Sequence, residues 1–211
     1  MVVLGLDTTG GHCTAALTKD GVVLAQMSED IGRGHAERLA PMVQEIMSTA
    51  RLKPANVDQL AVCTGPGSFT GLRVALAFAK GFALPRELPV IGLSALECLA
   101  GQIGGSEKSR IASVINVRRG QVCWAVYDEG EEIAPPTTQD IEAASTAMED
   151  MACNLYVGDG AELLGLESVS PSVIDGASLC RLSVGRSSQA YPAVPLYSRG
   201  PDAKLPGGKS L

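Results

Sequence analysis

The chain has 211 residues; 45% are hydrophobic, 19% charged and only 4% aromatic, and the formal net charge is −6. This composition excludes a disordered or collagen-like chain and requires a core of aliphatic side chains and alanine. The acidic balance also excludes a broad electropositive surface for phosphate backbones, so any service to nucleic acid is expected to run through a partner.

Residues 2–7 form a short apolar run and predict a buried strand. Thr8-Thr9-Gly10-Gly11 has turn chemistry, residues 12–18 can pair back, and Asp20-Gly21 is a hairpin signal leading into a third strand over 22–27. A helix is expected over 35–50, with Ala36, Leu39, Ala40, Val43, Ile46, Met47 and Ala50 on one face and Met42 widening it. That face reads either as a generous core stripe or as a helix buried on two sides, the second being a partner. A strand over 60–64 runs into the loop Gly65-Pro66-Gly67-Ser68-Phe69-Thr70-Gly71, and a helix is expected over 72–84, apolar nearly all round apart from Arg73 and Lys80. A further strand spans 89–92, and Ser94-Ala-Leu-Glu97 opens a helix to about residue 100 with a capping-box pattern.

The Gly/Ser/charged break at 101–109 divides the chain, and the order then restarts. Strands are expected over 110–117 and 121–128, joined by the turn Arg118-Arg119-Gly120, with a short strand near 131–134. Thr137 or Thr138 is expected to cap a helix to about residue 151; a strand spans 154–157, and a last helix begins at Asp175 or Ser178. The expected fold is α/β: two similar lobes, 1–103 and 110–198, each a mixed sheet with flanking helices, and a mobile tail over 199–211. No sequence repeat accompanies the repeated pattern. The apolar run over 74–84 is broken by Lys80 and too short for a bilayer, and the first seven residues lack a basic segment, so neither a membrane span nor a signal peptide is expected.

The six cysteines, at 13, 63, 98, 123, 153 and 180, contain no C-x-x-C spacing. They read as free thiols of a reducing, cytoplasmic chain. The Gly65–Gly71 loop joins a strand to a helix N-terminus, where free N–H groups and the helix dipole suit an anion. Its spacing is neither a dinucleotide fingerprint nor a P-loop. Gly65, Gly67, Ser68 and Gly71, with the strand-end carboxylate Asp7, are therefore candidates for a vestigial phosphate loop; the alternatives are a tight turn that lets two helices pack closely, and an acid bonded to the hydroxyls and amides beside it. The only histidines are His12 and His35, so a histidine-rich metal site is not expected, and His35 reads as a capping or turn-stabilising residue. Arg118-Arg119-Gly120 is a basic tip that suits a phosphate, an acidic partner or plain solvent.

Asp7-Thr8-Thr9, His35-Ala-Glu-Arg-Leu-Ala-Pro41, the block Gly65–Arg73, Ala79-Lys80-Gly81, Ser94–Glu97, Arg118–Gly120 and Pro195–Arg199 together resemble the TsaB (YeaZ) family of tRNA threonylcarbamoyladenosine biosynthesis proteins. The resemblance runs over nearly the whole chain and is densest at 60–81; Asn116 departs from the family pattern, where Asp is common. It implies two actin-like, RNase-H-like lobes of the ASKHA type. It also implies a non-catalytic scaffold that binds the transferase TsaD through N-terminal-lobe helices, with a small ATPase, TsaE, joining them. The complex then acts on N6 of adenosine 37, and tRNA is met only through it. The paired metal-binding histidines belong to TsaD, and this chain lacks them. On this reading Leu39, Met42, Val43, Ile46, Met47, Val74, Phe78 and Phe82 form the partner face, a homodimer uses the same face, and ATP or ADP enters only at the level of the complex. The competing expectation is a kinase or ATPase of the same fold acting alone through Asp7 and the Gly65 loop.

Overall fold

A computed structural model describes residues 1–103, 109–169 and 172–198. The expected mobile tail over 199–211 lies outside the described residues, as does most of the break between the lobes. The first sheet has the order β3-β2-β1-β4-β5. Its strands are β1 (Val2–Asp7), β2 (His12–Lys19), β3 (Val22–Asp30), β4 (Gln59–Cys63) and β5 (Val90–Leu93). The meander β1–β3 is antiparallel, whereas β4 and β5 run parallel to β1. The second sheet repeats this plan as β8-β7-β6-β9, with β6 (Arg110–Arg118), β7 (Gln121–Asp128), β8 (Glu131–Asp140) and β9 (Leu155–Val157). This is the expected pair of mixed sheets with flanking helices, the second one strand shorter.

Five layers stack: helices, sheet, helices, sheet, helix. The helices α1 (His35–Thr49) and α2 (Phe69–Ala83) cover one face of the first sheet, where Leu4, Leu6, Leu60 and Val62 point. The helices α3 (Ala95–Gln102) and α5 (Gly176–Ser183) lie between the sheets, against Val3, Ala61 and Cys63 on one side and Cys123, Ala125 and Tyr127 on the other. The helix α4 (Ile141–Asp150) closes the far side over Val122, Trp124 and Val126. The alternation along β7 shows the period of two that sends neighbouring side chains to opposite layers. Strands β1 and β4 are buried on both faces, which is why they read as unbroken apolar runs.

Two expectations are corrected. The strand near 131–134 continues to Asp140, and α4 starts at Ile141 with Asp140 in the cap position. Pro135 and Pro136 cannot enter a helix interior but fit an edge strand, and Thr137 and Thr138 pair with Trp124 and Cys123. The second correction concerns the lobe boundary. α5 packs on β1, β2, β4 and β5, and the chain after it crosses the free edge of β5 through Gly92 N–H to Tyr191 O (2.9 Å) and the Ile91–Pro192 bridge. Leu196 N–H then reaches Thr64 O (2.7 Å). Residues 176–198 therefore complete the first lobe rather than the second, because α5 covers the inner face of the first sheet while α3 lies against β6 and β7 of the second.

α5 can lie so low because Gly5 and Gly176 clear its path. A Cβ at Gly5 would stand 2.7 Å from Cys180 Sγ and 2.8 Å from Gly176 O, and one at Gly176 would stand 2.8 Å from Ala16 Cβ. On the outer side, the Arg38 guanidinium bonds Glu29 (2.6 Å) and Glu45 (2.7 Å), pinning α1 to the edge strand β3. Gly5→Ala forces α5 off the sheet. Urea unfolding is expected to show a loss of about 1–3 kcal/mol, the usual cost of overpacking; an unchanged midpoint contradicts the close crossing.

Candidate functional site

Asp7 ends β1 and is 3% exposed. Its Oδ1 accepts the N–H (2.9 Å) and the hydroxyl (2.7 Å) of Thr9. Burial pushes its pKa above the ordinary 3.8, against the opposing pull of the Thr9 bonds. The carboxylate is thus bonded to the hydroxyl and amide beside it, the local arrangement set above against a place in a phosphate loop.

The Gly65–Gly71 loop lies against the same strand end. Ser68 N–H donates to Thr9 O (2.7 Å), Leu72 N–H to Ser68 O (2.8 Å) and Gly71 N–H to Ser68 Oγ (3.3 Å), while the Thr8 hydroxyl donates to Gly71 O (2.6 Å). The amides of Ser68, Gly71 and Leu72 are thus spent inside the protein. Gly67 and Gly71 are glycine because a Cβ at either would collide with the backbone of Thr9 or Thr8. The close approach is therefore between loop and strand end, not between two helices. Gly65 adopts φ +93°, and its carbonyl accepts Ala95 N–H (2.7 Å), which fixes the start of α3. Ser68 caps α2, so the helix starts at Phe69, three residues before the expected position.

His35 does not cap α1; Gly34, in the left-handed region, holds that position. His35 is the buried first residue of the helix, and its Nε2 has no hydrogen-bond partner among the described residues. Among those residues no three His, Cys, Asp or Glu side chains converge as a metal site. The six thiols are unpaired; burial raises those of Cys13 and Cys180 to about 11 and about 12.

The structure divides the expected partner face. Leu39, Met42, Val43, Ile46 and Met47 are 0–6% exposed and sit in this chain's own core with Leu4, Leu60 and Ala75. The stripe His35-Leu39-Met42-Val43-Ile46-Met47 faces the sheet, so Met42 belongs to the core and Ala36 and Ala40 turn to solvent. These five residues have no surface to offer a partner. Val74, Phe78 and Phe82 on α2 stay half-buried, beside exposed Ala77, Gly81 and Leu84.

Between the lobes opens a cleft of about 930 Å³, lined by Asp7, Gly67, Ser68 and Phe69 on one side and by Asn116, Arg118 and Asp159 on the other. At its mouth the Arg73 guanidinium lies 3.7 Å over the Phe69 ring, and the Phe69 and Tyr197 rings are 5.1 Å apart. The Phe69–Arg73 spacing of four on a helix is legible in sequence; Tyr197 carries no local signal that it returns to this point.

The family model described as "TsaD: tRNA N6-adenosine threonylcarbamoyltransferase" matches residues 22–154. The tRNA threonylcarbamoyladenosine biosynthesis protein TsaB of Escherichia coli (strain K12) is 40% identical over 132 residues, 62% of this chain and 57% of that protein. An uncharacterised protein of Mycobacterium tuberculosis (strain H37Rv) is 35% identical over 207 residues, covering 96% of this chain and 93% of its own length. YeaZ from Pseudomonas aeruginosa superimposes with a TM-score of 0.77 at 26% identity, covering 93% of this chain and 99% of that one. This chain belongs to the TsaB (YeaZ) family. It spans 53–60% of the length of the TsaB-named relatives it matches. The Gly65–Arg73 block has a physical role in this chain: it is the segment that docks bare backbone on the end of β1.

Two outcomes check these placements. Met42→Ala is expected to cost the isolated chain about 2–5 kcal/mol, as for a large core residue; a residue reserved for a partner would leave thermal stability unchanged. Asp7 binds its proton more tightly folded than unfolded, so the stability tied to it is full below about pH 3.8 and is lost as pH rises through the raised folded value. Asp7→Asn is therefore expected to melt above the parent at pH 7, with the gap closing on acidification; a gap that widens toward acid reverses the sign.

Proposed function

We propose that this chain is a non-catalytic subunit of the assembly that makes N6-threonylcarbamoyladenosine in tRNA, where it docks on a TsaD-like transferase through the outer face of α2. A TsaE-like ATPase joins the two, tRNA is met through the assembly in the cytoplasm, and nucleotide enters at the level of the complex. In the partner's absence the same face pairs two copies of the chain. The names of the relatives and the match to a TsaD family model support the pathway and the partner.

The observation that carries the docking face is Gly81. It lies within α2, exposed, with nothing within 4 Å of a Cβ built on it. Nothing inside this chain requires glycine there, and glycine costs a helix interior about 1 kcal/mol relative to alanine. With Ala77 one turn earlier it forms a row of small side chains beside Val74, Phe78 and Phe82, along which a partner helix can approach closely. Leu84 extends the apolar face at 76% exposure. A standard interface needs about 800 Å² on each partner.

The test uses reconstitution with the transferase, the ATPase, the adenylate-forming synthase, tRNA, threonine, bicarbonate and ATP, reading complex formation and modified nucleoside. Gly81→Ala is expected to stabilise the isolated chain by about 1 kcal/mol. Ala77→Arg leaves its melting within about 0.5 kcal/mol of the parent but weakens the complex at least about tenfold, roughly 1.4 kcal/mol, and lowers the nucleoside yield with it. Undiminished assembly by Ala77→Arg removes α2 as the docking face. Full modification without the chain removes the proposed role and leaves an independent nucleotide-dependent activity.

A further inference from the structure

The cleft mouth holds features that neither folding nor docking through α2 uses. The chain is poor in aromatics, at 4%, with three phenylalanines and four tyrosines. Even so, Phe69 and Tyr197 stand 43% and 42% exposed at one point, 5.1 Å apart. Arg73 lies flat on Phe69 at 3.7 Å, and its Nε approaches the Tyr197 hydroxyl at 3.4 Å. The guanidinium stacked on Phe69 and directed at the Tyr197 hydroxyl, beside a second exposed ring tilted by 32°, forms an aromatic platform that a further π-system can extend.

The β6–β7 tip on the other lobe lines the same cleft through Arg118. Arg118 and Arg119 both adopt left-handed backbone, φ +67° and +57°. This is the positive-φ geometry of a tight hairpin turn, and it sets two exposed arginines side by side at the tip. The local polar groups hold the tip in place: Asn116 Oδ1 accepts Arg118 N–H (2.8 Å), and Asp159 Oδ1 accepts Asn116 N–H (3.0 Å). Asp159 is thereby engaged with backbone, and Arg118 remains exposed.

We propose that this mouth binds an unstacked nucleotide of single-stranded RNA, with its base on the Phe69–Arg73–Tyr197 platform and its phosphate on Arg118. The chemistry of a flat ring joined to an anion comes from the cleft itself; RNA as its source rests on the proposed function. A platform of this kind takes bases from loops and not from duplex, because only unpaired bases expose a face. The net charge of −6 repels the RNA backbone as a whole. The contact is therefore a local one, made once an assembly has brought the RNA close.

The test uses the full chain alone, with ring-labelled phenylalanine and tyrosine observed by NMR. The probes are a short RNA hairpin with an open loop, a blunt RNA duplex of equal length, and AMP. The hairpin is expected to shift the Phe69 and Tyr197 ring signals upfield and to saturate. Phe69→Leu, which keeps an apolar side chain on α2, and Arg118→Ser, at an exposed tip, are each expected to weaken it about five- to a hundredfold. Silent rings at millimolar protein overturn the proposal, as does an equal response to duplex. AMP binding as tightly as the hairpin also overturns it and makes the cleft a free-nucleotide site. No transferase is present, so a failure of α2 docking leaves this result standing, and silent rings leave docking standing.

Discussion

Contact between bare backbones is the constraint on which this molecule turns. At the end of β1 the carbonyls of Thr8 and Thr9 meet Gly71 and Gly67 with no side chain between them, and one layer below α5 crosses Gly5 just as closely. These approaches fix the start of α2, the seat of α3 and the depth of α5. They also engage the amides of Ser68, Gly71 and Leu72. A segment whose composition resembles a phosphate cradle thus serves as a clasp, holding helices to the strand that carries Asp7.

Most elements were legible from local pattern. Strands β1 and β7, the Asp20-Gly21 hairpin and the capped starts at Ser94 and Asp175 follow from periodicity and turn chemistry, which act over a few residues. What escaped was decided at long range. Pro135 and Pro136 end most helical patterns, yet whether β8 stops before them or runs past them depends on Trp124 and Cys123 across the sheet. Residues 176–198 follow the second lobe in sequence but belong to the first, because that sheet lacks cover on its inner face.

The site shows the same division. Helical periodicity found the apolar residues of α1 but not their direction, since a stripe facing a sheet and one facing a partner have equal spacing. Burial of Met42 and Ile46 settles this in favour of the core. The informative residue for docking was one with no side chain: Gly81 stands out only when the empty space above it is seen. The Phe69–Tyr197 contact spans most of the chain and had no local signature.

The path of the last described residues has a consequence for how the protein is made. The inner face of the first sheet is closed by α5, and the edge of β5 by the segment around Pro192. While the chain is being synthesised, residues 1–103 emerge long before either cover exists. Domains usually fold as units in N-to-C order on the ribosome. Here the first lobe must wait, with an apolar face and a strand edge open, until the second lobe has passed through and the chain returns. Nascent chains stalled before residue 176 are the form most exposed to chaperones and proteases.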